Sequence, residues 1–203
     1  MTQPVVLRPR FGLILCILVW AIVAVCIVSL IALGDAGTAL RYTPAFLLAA
    51  FGCWLLFWMP AVGVDAAGVT LVNLARTVRI TWPAIIDVDT KYSLTIRTRD
   101  AKFTAWAAPG PSRITTYRAA KSDVAHLPDS TYGAGGSVRI GDIPSSDSGL
   151  AALNIRRYWD ELRRDGQLDA ATIDGTGVVT TWHTWQLIVL GALVVATAVG
   201  ILV

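Results

Sequence analysis

The chain has 203 residues, of which 55% are hydrophobic and only 15% are charged. Because this composition is too apolar for an ordinary soluble domain, part of the chain is expected to lie in lipid. The formal net charge is only +3, and two positive residues, Arg8 and Arg10, lie just ahead of an apolar segment. This balance argues against nucleic-acid binding.

Residues 1–10 form a short tail, and the apolar segment 11–33 that follows contains no charged residue. A helix rises about 1.5 Å per residue, so this segment can cross a hydrocarbon core roughly 30 Å thick. It is longer than the core of a signal peptide, and a second apolar segment follows at once. The sequence therefore predicts a transmembrane helix that is not cleaved.

Two further transmembrane helices are predicted, at residues 45–63 and 182–203, with residues 34–44 as a loop after the first helix. Tryptophans lie near the domain-side end of both, as expected of rings that favour the headgroup layer. No Asp, Glu, Lys or Arg falls within the three predicted spans, which argues against a transporter or a proton relay.

The orientation follows from the basic residues beside the first span. Arg8 and Arg10 precede it, whereas Arg41 is the single basic residue in the loop after it. Because Lys and Arg near span ends resist translocation, the tail is predicted to be cytoplasmic. Two spans later the segment 64–181 returns to the cytoplasm, residues 34–44 are external, and the C-terminus is external. The location is then the plasma membrane.

Small residues recur at intervals of four in the third span, at Ala192, Ala196 and Gly200. Such a stripe lets helix backbones approach closely, so these residues are a candidate packing face. The three cysteines, Cys16, Cys26 and Cys53, all lie in apolar segments. They are interpreted as small hydrophobic residues rather than as a disulfide framework.

Residues 64–168 change from continuous to alternating hydrophobicity, which predicts a β-rich domain. Strands are expected at 68–74 and 76–82, with a turn at 73–76, and at 92–98 and 102–107, with a turn at Asp100. Residues 109–148 are rich in Gly, Pro, Ser and Asp, and are predicted as a long loop with a helical piece near 117–124 and a strand near 137–140.

An amphipathic helix is expected next. Ser146 or Ser148 can cap its N-terminus, one face carries Ala151, Ile155, Tyr158 and Leu162, and Gly166 follows its end at Arg164. Residues 169–181 are then a linker to the last span. Two antiparallel hairpins followed by one such helix is the layout of a pleckstrin-homology (PH)-like barrel, which the helix closes at one end.

Several strings in this order carry a family resemblance. They are Val64-Asp-Ala-Ala-Gly68-Val-Thr-Leu, Arg79-Ile-Thr-Trp82-Pro-Ala-Ile85, Ala107-Ala-Pro-Gly-Pro, Ser148-Gly-Leu-Ala-Ala and Ile155-Arg-Arg-Tyr-Trp159-Asp-Glu-Leu. The chain resembles the bacterial membrane-anchored PH-domain family, which includes proteins named low-molecular-weight antigens. The resemblance covers residues 11–169 and implies two leading spans before a PH-like domain; the third span departs from it. The resemblance says little about function, because a fold does not fix an activity.

Basic residues of the domain form two candidate contact sets for lipid or a protein partner. The first is Arg76, Arg79, Lys91, Arg97 and Arg99, and the second lies on the amphipathic helix and includes Arg156 and Arg157. Either set could meet anionic headgroups. Interleaved aspartates and glutamates favour the alternative of a mixed, solvated surface in both cases.

No constellation in the sequence predicts catalysis, a cofactor or a bound metal. His126 and His183 are the only histidines, and neither has cysteine or carboxylate neighbours at metal-ligand spacing. The segment 133–137 is glycine-rich but lacks the Lys-Ser/Thr of a phosphate loop. Trp82, at a strand end before Pro83, is interpreted as core packing rather than as a ligand contact.

The first functional hypothesis is therefore a non-enzymatic, membrane-anchored interaction module, an accessory or scaffold subunit of a larger membrane complex such as a respiratory or cell-envelope assembly. Its expected partners are membrane lipids and integral membrane proteins. The alternative is a domain that senses anionic lipid or a small ligand. A hydrolase or transferase that uses His126 in the loop 109–148 ranks last, because no oriented base accompanies a nucleophile there.

Overall fold

In the computed structural model the described residues are 5–32, 34, 36–111, 131, 140–166, 168 and 177–202. The chain divides into a globular unit, Met1–Arg8 with Ala61–Thr181, and a helical unit, Pro9–Pro60 with Trp182–Val203. The helices are α1 (Arg10–Ala32), α2 (Ala36–Cys53), α3 (Asp147–Arg164) and α4 (Thr184–Leu202). The strands are β1 (Val5–Leu7), β2 (Ala61–Asp65), β3 (Gly68–Val72), β4 (Arg76–Thr81), β5 (Asp87–Asp89), β6 (Ser93–Arg97), β7 (Lys102–Pro109) and β8 (Val178–Trp182).

The helical unit contains α1, α2 and α4, which are long and apolar enough to cross a membrane. A π-helical turn, Trp54–Trp58, continues α2. The Trp20 ring of α1 stacks on Trp58 at a centroid distance of 5.6 Å, and its indole N–H donates to the carbonyl of Ala50 at 3.1 Å. The three spans predicted from composition are thus present as helices.

The second span begins earlier than the sequence predicts. Residues 34–44 were expected to form a loop, but α2 starts at Ala36, so Pro44 lies inside the helix and Arg41 lies within the candidate span Gly37–Trp58. The hydroxyl of Thr43 donates to the carbonyl of Ala39 at 2.7 Å. Such local hydrogen bonds help a transmembrane helix tolerate an internal proline. The expectation that no charged residue falls within a span is therefore wrong for Arg41.

The position of Arg41 within a span is explained by its hydrogen bonds to the C-terminal end of another span. Its Nε donates to the carbonyl of Gly200 at 2.6 Å, and its Nη2 donates to the carbonyl of Ile201 at 3.2 Å. The last carbonyls of a helix have no partner within the helix, so the guanidinium satisfies two groups that α4 leaves open. A Cβ added at Gly200 would lie 2.5 Å from the Arg41 carbonyl oxygen, which shows how closely α2 and α4 approach there.

The predicted small-residue face of the third span is only partly the face that packs. Gly200 lies against α2, whereas Ala192 and Ala196 are exposed in the helical unit. The less exposed side of α4 includes Gln186 and Thr197.

The described strands of the globular unit form two sheets, in which the pairs β1–β2, β2–β3, β3–β4, β5–β6 and β6–β7 are antiparallel. The first has the strand order β1-β2-β3-β4-β8, and the second has the order β5-β6-β7. The predicted turn at 73–76 joins β3 to β4, where the Asn73 N–H donates to the Arg76 carbonyl at 3.0 Å. The turn at Asp100 joins β6 to β7, and the Thr98 N–H donates to the Ala101 carbonyl at 2.9 Å. These two hairpins confirm the predicted alternation.

A single core lies between the sheets and α3. Alternate residues of β3, β4 and β6 point inward, and Leu71, Ile80 and Ile96 are fully buried. The predicted face of α3 contributes Ala151 and Ile155, which are also fully buried. Tyr158 and Leu162 pack against the same core. This arrangement is the PH-like layout expected from the sequence.

Both ends of α3 follow the predicted signals. The Ser146 hydroxyl oxygen accepts a hydrogen bond from the Gly149 N–H at 3.0 Å, which caps the N-terminus. Gly166 has a φ of 68°, a left-handed conformation that glycine adopts without strain and that commonly ends helices.

Two strands lie in or begin in segments that were assigned from the sequence to a tail and a linker. β1 is part of the tail 1–10 and pairs with β2, with Val6 opposite Gly63. β8 begins in the predicted linker 169–181 and neighbours β4, where the Thr81 N–H donates to the Gly177 carbonyl at 2.7 Å. Leu7 and Val178 pack against the core, and the burial of these side chains stabilises the two short strands.

Some predictions lie outside the described residues. These are the helical piece at 117–124, the glycine-rich segment 133–137, nearly all of the strand at 137–140, and His126. Of the strand, only Ile140 is described, and it begins a short 3₁₀ helix, Ile140–Asp142.

Candidate interaction surface

The structure distributes the first set of basic residues over two sheets. Arg76 and Arg79 lie on β4; the Arg76 guanidinium sits 5.9 Å from the centroid of the Phe103 ring, and Arg79 pairs with Asp65 at 3.4 Å. Lys91 precedes β6 and lies 5.2 Å from the centroid of the Tyr92 ring. Arg97 ends β6, and a strand rises about 3.3 Å per residue. Lys91 and Arg97 are therefore at opposite ends of one strand rather than on one rim.

Three cations do gather at the β6–β7 hairpin. Arg97 lies opposite Lys102 in the register of the two strands, and Arg99 lies in the turn between them. Asp87 lies opposite Arg97 on the other side, and Asp100 is in the same turn. The hairpin end is consequently mixed in charge.

The outward side of the second sheet is lined mainly by polar and charged residues. In β7 the residues Phe103, Ala105 and Ala107 are buried, so the alternating residues between them point outward. We call this side the second-sheet face; it comprises Asp87, Asp89, Thr95, Arg97, Lys102, Thr104 and Trp106. Two carboxylates and two cations cancel, so the face has no net charge.

Trp106 is the one large aromatic residue of the second-sheet face, and 57% of its surface is exposed. Tryptophan and arginine are enriched at protein contact sites, where they carry much of the binding free energy. The hydroxyls of Thr95 and Thr104 are 3.1 Å apart across the strands beside it. This pair is a favourable cross-strand contact that orders the surface next to Trp106, although the register of β6 and β7 shifts between Ser93 and Thr95.

The side chain of Asn73 holds the Trp106 backbone in place. Its amide NH₂ donates to the carbonyl of Thr104 at 2.8 Å, and its amide oxygen accepts from the N–H of Trp106 at 2.8 Å. Asn73 lies in the β3–β4 turn of the other sheet. One side chain thus bonds to β7 as a neighbouring strand would, and it joins the two sheets at the Trp106 position.

Arg156 is not a surface residue, and its interpretation as a lipid or partner contact is wrong. Its side chain is 5% exposed and that of Asp142 is 1% exposed, and the Arg156 Nη1 lies 2.7 Å from an Asp142 carboxylate oxygen. The same oxygen accepts from the Thr90 hydroxyl at 2.7 Å. The Arg156 Nη2 donates to the Val88 carbonyl at 2.6 Å. Arg156 therefore fastens α3 to β5.

Arg157, the next residue, points away from the core and is exposed. It shares the outer side of α3 with Glu161, Arg164 and Asp165, which are also exposed. This face alternates in charge sign, in line with the solvated helix face that the sequence favours.

The described residues contain no group of three or more His, Cys, Asp and Glu that could hold a metal ion. His183 lies just before α4, and Cys16, Cys26 and Cys53 are unpaired thiols in the helical unit. Trp82 is 3% exposed, stacks on Tyr158 at a centroid distance of 4.9 Å, and donates its indole N–H to the Asp65 carbonyl at 3.1 Å. It packs in the core, as the sequence favours.

The sequence alone did not identify Asn73 or Asp142, whose side chains hold neighbouring segments in place. Asn73 lies in a turn, where asparagine is common because its side chain can hydrogen-bond to the nearby backbone. Asp142 fell in a segment dense in Gly, Pro and Ser, and no local pattern links it to Arg156. Trp106 did carry a signal, because the alternation in β7 puts it opposite Phe103 and hence on the outward side.

Residues 59–131 match the family model described as Bacterial PH domain. The matched segment begins just before β2 and covers β2 to β7. No curated protein and no solved structure matches the chain.

Proposed function

This chain carries a segment that matches the Bacterial PH domain family and three helices that are long and apolar enough to cross a membrane, and on that premise we propose that it is a non-enzymatic interaction module that binds a protein partner through the second-sheet face. In this proposal it serves as an accessory or scaffold subunit of a larger membrane complex, of the respiratory or cell-envelope kind. The observation that carries the proposal is a neutral, ordered face around an exposed Trp106.

The charge on the face favours protein over lipid. Anionic headgroups attract clusters of Lys and Arg, at about 1 kcal/mol for each basic residue near the surface. Asp87 lies opposite Arg97 on the second-sheet face, so much of that attraction cancels. A protein partner can match alternating charges and gains affinity from a buried tryptophan at the centre.

The proposed topology has the tail and the domain in the cytoplasm and the C-terminus outside. Arg8 and Arg10 before α1, against Arg41 after it, support this orientation. The pairing of β1 with β2 independently supports one part of this topology, namely that the tail and the domain lie on the same side. β1 precedes α1 and β2 follows α2. Because these two strands pair in one sheet, the chain must enter α1 and leave α2 on the same side of the membrane.

Site-specific photocrosslinking in native membranes tests the proposed function. A photoreactive phenylalanine analogue at position 106 of the full-length chain is expected to yield a discrete protein adduct. The same analogue at position 157, on the outer side of α3, is the matched control and is expected to yield little. Trp106→Ala should weaken capture of that adducted protein by roughly 30-fold, the equivalent of a 2 kcal/mol hot spot.

A second candidate function is recognition of anionic lipid by the β6–β7 hairpin, where Arg97, Arg99 and Lys102 gather. Flotation of proteoliposomes cannot test it, because the spans already fix the protein in lipid. Photocrosslinking can: adducts to phospholipid alone at positions 99 and 106, without a protein adduct, would reject the partner-binding proposal in favour of this one.

A further inference from the structure

The two sheets expose four outer strands among those described, namely β1, β8, β5 and β7. An outer strand offers unpaired backbone groups to any other extended chain, and native proteins usually protect such edges. Three of these four edges carry a recognisable protection, and β8 does not.

The protected edges use different means. β1 and β5 are each three residues long, and β5 carries Asp87 and Asp89. β7 is longer, but the Asn73 side chain occupies the Thr104 carbonyl and the Trp106 N–H, and the strand ends at Pro109. Short length, charge, proline and capped backbone groups all discourage the addition of a strand.

β8 is five residues long, Val-Val-Thr-Thr-Trp, with no charge and no proline. Every one of these residue types is enriched in strands. Four of the five residues are exposed, and Val179 exposes 60% of its surface. Among the described strands its one neighbour is β4. It therefore combines the features that favour strand addition.

The free side of β8 can be identified from its bond to β4. The Gly177 carbonyl accepts from the Thr81 N–H at 2.7 Å, so the backbone groups of Gly177 face β4. Backbone direction alternates along a strand. Val179 then also faces β4, and the backbone N–H and C=O of Thr180, at the centre of β8, point to the open side.

We propose that β8 is a homodimerisation edge, which pairs antiparallel with β8 of a second copy of this chain about a two-fold axis at Thr180. Thr180 then lies opposite Thr180 of the second copy, and the two exchange a pair of N–H to C=O hydrogen bonds. In the same register Val178 lies opposite Trp182, twice, and Val179 lies opposite Thr181, twice. The five-stranded sheet described for one copy then joins that of the second copy in one continuous ten-stranded sheet.

The sequence of β8 fits itself better than it fits a charged partner strand. Threonine beside threonine and an aromatic ring beside a β-branched residue are favourable cross-strand pairs, each worth roughly 0.2–1 kcal/mol. The self-pairing register makes only such pairs and Val–Thr pairs. Because β8 carries no charge, a second copy meets no like-charge repulsion. An isologous contact of this kind closes on itself and forms a dimer rather than a fibre.

Co-capture of two differently tagged full-length copies from co-expressing membranes tests this proposal. Thr180→Lys would place two ammonium groups opposite each other at the axis and should reduce co-capture on the order of tenfold. Thr180→Glu alone should have the same effect. Copies bearing Thr180→Lys and Thr180→Glu, expressed together, should recover co-capture because unlike charges then meet.

Thr181→Lys is the matched control, since in the proposed register that position lies opposite Val179 and not its own copy. Unchanged co-capture there, with loss and charge-swap recovery at Thr180, supports the register. Absence of co-capture of the wild-type chain would overturn the proposal. So would equal loss at positions 180 and 181, or a different protein held through β8 in place of the second copy.

Discussion

The guanidinium of Arg156 lies 2.7 Å from a carboxylate oxygen of Asp142, and the two side chains are 5% and 1% exposed. The same carboxylate oxygen accepts from Thr90, and the same guanidinium donates to the Val88 carbonyl. This pair ties α3 to the second sheet in the globular unit. The sequence indicated Arg156 as a candidate contact for lipid or a partner, but this arginine lies in the interior of the globular unit.

Arg156→Ala is expected to destabilise the globular unit strongly. Removing one partner of a buried ion pair leaves the other charge without compensation, at a cost of about 3–5 kcal/mol. The adjacent Arg157→Ala is the matched control, because that side chain is exposed and a surface substitution usually changes stability by less than about 0.5 kcal/mol. Thermal unfolding of the purified protein in detergent, followed by near-ultraviolet circular dichroism, measures both. Equal midpoints for the two variants would contradict the structural role of the pair.

Asn73→Ala is expected to loosen β7 at Trp106. The variant loses hydrogen bonds to the Thr104 carbonyl and the Trp106 N–H, each worth about 0.5–1.5 kcal/mol. Hydrogen exchange at the Trp106 amide should accelerate accordingly. Asn154→Ala, which removes a single bond to Leu150 on the exposed side of α3, should leave that amide protected. Unchanged exchange at Trp106 in the Asn73 variant would show that the bridge does not order β7.

Gly200→Ala is expected to disturb the contact between α2 and α4. The added methyl group would lie 2.5 Å from the Arg41 carbonyl oxygen, so the two helices must move apart. Overpacking of this kind typically costs about 1–3 kcal/mol. Gly191→Ala makes the same chemical change where nothing lies within 4 Å, and should be neutral. Thermal unfolding in lipid nanodiscs compares the two, and equal effects would contradict the close approach at Gly200.

Cysteine labelling tests the topology. In a background without Cys16, Cys26 and Cys53, Val6→Cys should react with a membrane-impermeant maleimide only after the cells are permeabilised. Gly37→Cys, at the start of α2, should react in intact cells because it lies on the other side of α1. Labelling of both positions in intact cells would show that α1 does not separate them, and would refute the proposed topology. The reverse pattern would invert the orientation but keep the pairing of β1 with β2.

The sequence by itself determined the three spans, the four strands β3, β4, β6 and β7 of the PH-like domain, and the C-terminal helix of that domain. Hydropathy and alternation are properties of a short window, so they can be read without knowing what lies across the fold. The helix cap at Ser146 and the end at Gly166 are local in the same way. Alternation even assigned Trp106 to the side of β7 opposite Phe103.

Only the tertiary structure decided which polar residues are buried and which strands complete the sheets. Arg156 meets Asp142 across 14 positions, Asn73 meets Thr104 across 31, and Arg41 meets Gly200 across 159. Arg156 and Arg157 are neighbours of the same type, and only the packing of α3 makes one interior and the other exposed. β1 and β8 are likewise strands because β2 and β4 offer them partners. A contact between distant residues leaves no periodic trace in either segment, so hydropathy and spacing could not reveal it.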